Sequence, residues 1–387
     1  MKRRDFLKTT LSLSALCMLP FPVMALAKEK KILILIELKG GNDGLNTLIP
    51  FSDPLYTELR PSIGIKESEV LKLNSKLGFH PSLKFLHQSF KSNQLAILQG
   101  VGYANPNLSH FRSIDIWETA TESEEYSDQG WLQQLSSKIG DGKELVKGII
   151  VGDNAFGPFR GATSEVLVMD NPKRFLRKNA KLNLYENKQV LPSLKHILDV
   201  ENSLSKTIEE LRTKTEKVEL PEMNDLPQDQ VAGMIKALLS VLAAGHHVPV
   251  FKISIGGFDT HTEQLNQHAR LLSVLDQTFQ SLEKGLKQIG VWKESTLLTY
   301  SEFGRRPAEN GSRGTDHGTA NVHFAMGGTV RGGLYGKQPS LSNLDGEGNM
   351  KFTTDFKSIY SEVCQKIFKI SDAEIVKKNK KLPGFLT

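Results

Sequence analysis

The chain has 387 residues, 49 basic against 43 acidic side chains, a formal charge of +6 and two cysteines. That length supplies core for one large domain or two modest ones, and the absence of a basic stripe interleaved with aromatics excludes a nucleic-acid-binding surface. Half of the net charge sits in residues 1–27, as Lys2, Arg3, Arg4 and Lys8 against Asp5, so the rest of the chain is only mildly basic.

In chain order, the first element is an export signal. Lys2-Arg3-Arg4-Asp5-Phe6-Leu7-Lys8 is a charged start, Leu11 to Ala27 is a mildly apolar stretch, and Ala25-Leu26-Ala27 is a small-residue cleavage pattern. The arginine pair followed by Phe-Leu-Lys predicts a twin-arginine signal over 1–27, with the translocase as partner during export and a periplasmic or secreted destination. Pro20 and Pro22 interrupt the apolar stretch, which makes it a poor permanent membrane anchor. Leu16 is too bulky for a lipidation site at Cys17. Cleavage leaves Cys364 as the one cysteine, so no intramolecular disulfide forms and stability rests on the core.

Residues 28–387 are expected to form an α/β domain. Lys31 to Leu38 is a continuous apolar run, as a central strand covered on both faces requires, and it ends in Gly40-Gly41-Asn42-Asp43-Gly44. Similar runs recur at Leu95–Gln99, Gly148–Val151, Pro249–Ile255, Ser295–Tyr300 and His323–Met326. Helical patterns over Ser82–Ser89, Asp229–Ala244 and Thr262–Gly290 lie between several of them. Alternation of this kind predicts a mostly parallel sheet with helices on both faces. The polar, charged stretch 174–230, with helical spacing over Leu194–Thr213, is expected to be a helical insertion or cap.

Ligands of an open α/β sheet collect beyond the carboxyl ends of the strands, and four strand-end loops are unusually polar. They are Gly41–Gly44, Gly256–His261, Ser301–Arg305 and Gly314–Gly318. Asp43, Asp259, His261, Asp316 and His317 are side chains suited to a divalent metal such as zinc and numerous enough for one or two ions. Any one of these loops alone reads as a plain turn; four at strand ends favour a metal site. Farther along, Phe111, Ile114 and Trp117 are spaced for a helix that begins just after Ser109. Ser109 then serves as a helix cap or, since a helix N-terminus favours an alkoxide, as an activated nucleophile.

At these residues the sequence resembles the twin-arginine-exported family called domain of unknown function 1501, itself similar to the alkaline phosphatase and sulfatase superfamily. Leu38–Pro50, His80–Trp117, Gly256–Gln264, Thr299–Gly336 and Asp355–Phe368 carry the resemblance. It implies an alkaline-phosphatase-like fold. It also implies a site in which Asp43 and the pair Asp316-His317 bind one metal, while Asp259, His261 and His323 resemble the ligands of a second. Asp259 and His261 are two positions apart and share a site only on an extended loop, and His323, inside an apolar run, also reads as a core histidine. Ser109 falls in the chain order where the superfamily carries its nucleophile.

The expected function is hydrolysis of phosphate or sulfate esters. Ser109 or a bound water would attack, Arg305 would clamp the anion, and His110 or Glu302 would move a proton. The rival is a non-catalytic exported protein that keeps the fold to bind a ligand or to serve envelope assembly. An organic-cofactor oxidoreductase is disfavoured, because no Gly-x-Gly-x-x-Gly turn follows the first strand.

Overall fold

The computed structural model describes residues 30–171, 192–220, 222–223, 225–227, 230–379 and 381–387. The expected signal segment therefore lies outside the described residues, as does the first part of the expected insertion. The strands are β1 (Ile32–Leu38), β2 (Leu48–Ile49), β3 (Leu71–Lys72), β4 (Gly78–Phe79), β5 (Leu95–Gly102), β6 (Gly148–Val151) and β7 (Val166–Met169). They continue as β8 (Val250–Ile255), β9 (Ser295–Tyr300), β10 (Gly304–Arg305), β11 (His317–Gly318), β12 (Asn321–Gly327), β13 (Gly333–Gly336) and β14 (Thr354–Asp355).

The main sheet runs β13-β5-β12-β9-β1-β8-β6-β7, with β14 also paired to β5. Every pairing in it is parallel except those of β12, which runs antiparallel to β5 and β9. The apolar run at 32–38 explains the central place of β1. Ile32, Ile34, Ile36 and Leu38 face one hydrophobic cluster, and Leu33 and Leu35 face the other. Helices Lys84–Lys91, Gln230–Ala243 and Gln264–Ile289 contribute to the first cluster. Helices His110–Thr119 and Phe356–Lys366 contribute to the second. The fold is thus α/β, with a mostly parallel sheet covered by helices on both faces.

All six expected strands form. Three strands of the main sheet that the sequence reading passed over, β7, β13 and β14, are four, four and two residues long, and β13 is part-exposed at the sheet edge, so none shows a long apolar run. Helix Pro192–Thr215 occupies the described part of the expected insertion and lodges Leu211 in the first cluster. No helix among the described residues is long and apolar enough to cross a membrane.

Candidate active site and metal cluster

The loops after β1, β5, β8 and β9 converge at one edge of the sheet. After β1 the chain turns at Gly40 and Gly41, both at positive φ (115° and 76°). A Cβ at Gly40 would lie 2.3 Å from the Asp259 backbone nitrogen, and one at Gly41 would lie 2.3 Å from the Phe303 ring, so both positions need glycine. After β5, Asn107 Oδ1 accepts from the Ser109 backbone N–H and helix His110–Thr119 begins. Ser109 is the N-cap residue in extended conformation, yet its side chain makes no capping hydrogen bond. Its exposed hydroxyl is therefore not engaged in helix capping.

His110, Asp259 and His317 present ligand atoms that all lie within 4.8 Å of one another. Each histidine is oriented from behind. His110 Nδ1 lies 2.9 Å from Glu302 Oε1, and His317 Nδ1 lies 2.8 Å from the Leu108 carbonyl oxygen. A carbonyl and a carboxylate only accept, so the network places the ring proton on Nδ1 in both residues and turns both Nε2 atoms toward Asp259. His110 Nε2 is 3.4 Å from Asp259 Oδ2, and His317 Nε2 is 3.2 Å from Asp259 Oδ1. His261 Nε2 closes the group, 3.0 Å from both Asp259 Oδ1 and His317 Nε2. The Phe303 ring packs against His110 and His317, with centroids 4.9 and 4.4 Å away.

The electrostatics follow from these neighbours. The Glu302 hydrogen bond raises the pKa of His110, while burial pushes His317 down. Burial acts to raise Asp259, but the Arg305 guanidinium, with His317 and His261, holds it down at about 2. Asp259 is thus a carboxylate across the neutral range, facing imidazole nitrogens that are lone-pair acceptors when neutral.

The other expected site residues sit as follows. Asp316 lies at the margin, its Oδ1 3.7 Å from His261 Nδ1 and accepting from Asn310. Arg305 is fully buried, and every guanidinium nitrogen is engaged. Nε donates to Gly41 O, Nη1 to Thr315 O, and Nη2 to Gly40 O, Phe258 O and Asp259 Oδ1. An anion clamp is not available from that arrangement: Arg305 ties loops together instead. Glu302 is nearly buried and accepts from His110 and from the Gly40 N–H at 2.8 Å.

Asp43 is not brought to the cluster. It caps the short helix Gly44–Thr47 through Oδ1, while Oδ2 accepts from Arg60 Nη1 at 2.6 Å and Gln264 Nε2 at 2.5 Å. Burial works against its charge, but the Arg60 guanidinium beside it keeps the pKa below the usual value. His323 is likewise elsewhere, buried in β12 edge-on to Trp117 and pushed down to about 3 by burial alone. With no carboxylate partner there among the described residues, it sits as a core histidine.

Residues the sequence reading missed are Arg60 and Gln264, both fully buried. Arg60 follows a short helix beginning Pro54-Leu55-Tyr56, where a charged side chain ordinarily faces water, so no local signal marked it. Gln264 was hidden in a polar run, Thr260-His261-Thr262-Glu263-Gln264.

No curated protein sequence matches the chain. Among solved structures it is similar to the PsFucS1 sulfatase from Pseudoalteromonas sp., at 12% identity over 96% of this chain and 73% of that one, with a TM-score of 0.41. It is also similar to Ps i-CgsB in complex with k-i-k-neocarrahexaose, at 10% identity over 92% and 75% of the two chains, TM-score 0.42. A third is a protein in the alkaline phosphatase superfamily from Vibrio parahaemolyticus, at 8% identity over 87% and 66%, TM-score 0.35. The family model described as protein of unknown function (DUF1501) matches residues 30–363, and the chain belongs to that family.

Proposed function

We propose that this protein is a metal-dependent hydrolase of phosphate or sulfate esters, exported by the twin-arginine route and active in the periplasm or outside the cell. One observation carries the metal part of the reading. Two imidazole Nε2 atoms, fixed from behind by an acceptor on Nδ1, converge with a low-pKa carboxylate within 4.8 Å. A histidine that gives its second ring N–H to a carboxylate or a backbone carbonyl is the usual form of a metal ligand. The nitrogen and oxygen donor set of His110, Asp259 and His317, with His261 beside it, suits zinc or a similar divalent ion. With Asp43 and His323 elsewhere, the geometry favours one ion over two.

The choice of ester class rests on the motif resemblance set out above. A divalent ion held there would supply Lewis acidity and would lower the pKa of an oxygen nucleophile. Ser109, whose hydroxyl makes no capping bond at the start of a helix, would provide that nucleophile, and the helix N-terminus favours the anion. Glu302 holds the His110 ring in one tautomer.

The test is elemental analysis of protein exported by its native route, followed by a panel of phosphate and sulfate esters. Near-stoichiometric metal and turnover of at least one ester class are expected, with turnover lost in Ser109→Ala at unchanged metal content. Metal-free protein that hydrolyses nothing would instead support the non-catalytic binding or envelope-assembly reading. Full activity of Ser109→Ala would move the attack to a bound water.

A further inference from the structure

Of the candidate ligands, His110 opens helix His110–Thr119, while Asp259, His261 and His317 ride on two loops, 256–263 and 310–318. Alongside Arg305 and several backbone bonds, one buried amide fixes the two loops against each other. Gln264 is fully buried, at the first position of helix Gln264–Ile289. Its Nε2 donates to Asp43 Oδ2, and its Oε1 accepts from Thr260 Oγ1 at 3.0 Å and Thr315 Oγ1 at 2.7 Å. The orientation follows from chemistry: a carboxylate only accepts, so the amide nitrogen must face Asp43 and the oxygen must face the two hydroxyls.

Each threonine neighbours the cluster. Thr260 lies between Asp259 and His261, and Thr315 directly precedes Asp316 and His317. Backbone bonds close the same joint, from Thr315 N to Thr260 O, from Gln264 N to Arg313 O and from Glu263 N to Ser312 O. Glu263 adopts a left-handed conformation, φ 44°, which turns the chain so that Gln264 enters the interior. Asp43 in turn is anchored to Arg60 and to the turn that follows β1. The side chain thus joins three strand-end loops at one point.

We infer that Gln264 is a positioning residue for the metal cluster: it sets the spacing of Asp259 and His261 against His317 without touching the ion. This rests on the reading of the cluster as a metal site. It also gives Asp43 a task, as the fixed acceptor to which the clamp is moored.

The experiment compares wild type, Gln264→Met and Leu286→Ala by Co²⁺ titration and by histidine ring NMR of the metal-free protein. Gln264→Met keeps the length of the side chain and removes both polar ends. Leu286 is fully buried in the core of the same helix, about 33 Å away along its axis, and controls for lost stability alone. Gln264→Met is expected to bind Co²⁺ about 10–100-fold more weakly, as changes behind metal ligands do, and Leu286→Ala to bind like wild type. In the metal-free protein the His261 and His317 ring signals should shift in Gln264→Met, while His247, bonded to Lys31 O across the fold, should not. Wild-type Co²⁺ affinity in Gln264→Met would overturn the positioning role and leave the metal reading standing. Should wild type bind no Co²⁺, the metal reading fails; His261 and His317 signals unmoved by Gln264→Met would then sink the inference as well, and shifted signals would retain Gln264 as the clamp of a metal-free site.

Discussion

Replacing Glu302 with Gln tests the ionic wiring of the site with little change of shape. An amide oxygen can still accept from His110 Nδ1 and the Gly40 N–H, so what is removed is chiefly the charge, 2.9 Å from the imidazole. At that range a charge pair is worth about 6 kcal/mol in an effective dielectric near 20. The His110 side chain is 35% exposed, and solvent screening reduces that to about 1–2 kcal/mol. Because Glu302 raises the pKa of His110, its contribution to stability is present below the unfolded value near 6.5 and is lost as pH rises through the folded one. Histidine NMR titration of metal-free protein should show His110 titrating lower in Glu302→Gln than in wild type. Denaturation should find the variant less stable near pH 5, with the difference shrinking toward pH 8. A His110 titration that does not move would refute the account, because it would mean that Glu302 is not the ionised partner of that ring.

Two further substitutions probe buried charge. Arg60→Met leaves the fully buried Asp43 carboxylate without its cation and should cost about 3–5 kcal/mol in urea denaturation, with much of the loss recovered by adding Asp43→Asn; a single variant as stable as wild type would contradict the pairing. Glu118 is pushed up to about 7 by burial, against Lys252, and therefore binds a proton more tightly folded than unfolded. Stability should fall between about pH 4.5 and 7 by at most about 3 kcal/mol on its account, and Glu118→Gln should flatten that slope. An unchanged slope would show that Glu118 is already ionised in the fold.

The sheet was readable in the sequence because burial on both faces leaves a mark in chain order. β1 is apolar from Ile32 to Ile36, and every residue of β1, β8 and β9 is buried, Lys252, Ser254 and Thr299 included, as in central parallel strands. The site was readable only as a set of residue types. Asp259, His261 and His317 were expected in one pool of ligand-type residues, which the resemblance divided between two metals, and in the fold they share one cluster; Asp43 and His323 are the same residue types in matching loops and strands, and they do not join it. What separates them is long-range pairing. Asp43 has an ordinary metal-ligand sequence around it, Gly-Asn-Asp-Gly, but a guanidinium 17 positions later fills its acceptor sites. Arg305 reads as an anion clamp until five oxygens from three loops are found around it. Conversely, His110 offered its proton chemistry in sequence and its ligand geometry only in space, once Glu302, 192 positions away, fixed which ring nitrogen faces inward. Buried polar groups must find partners wherever the chain brings them. At this sheet edge the residues that determine the chemistry of Asp259 are therefore Arg305, Gln264 and Glu302, which orient it or its neighbours, as much as the histidines beside it.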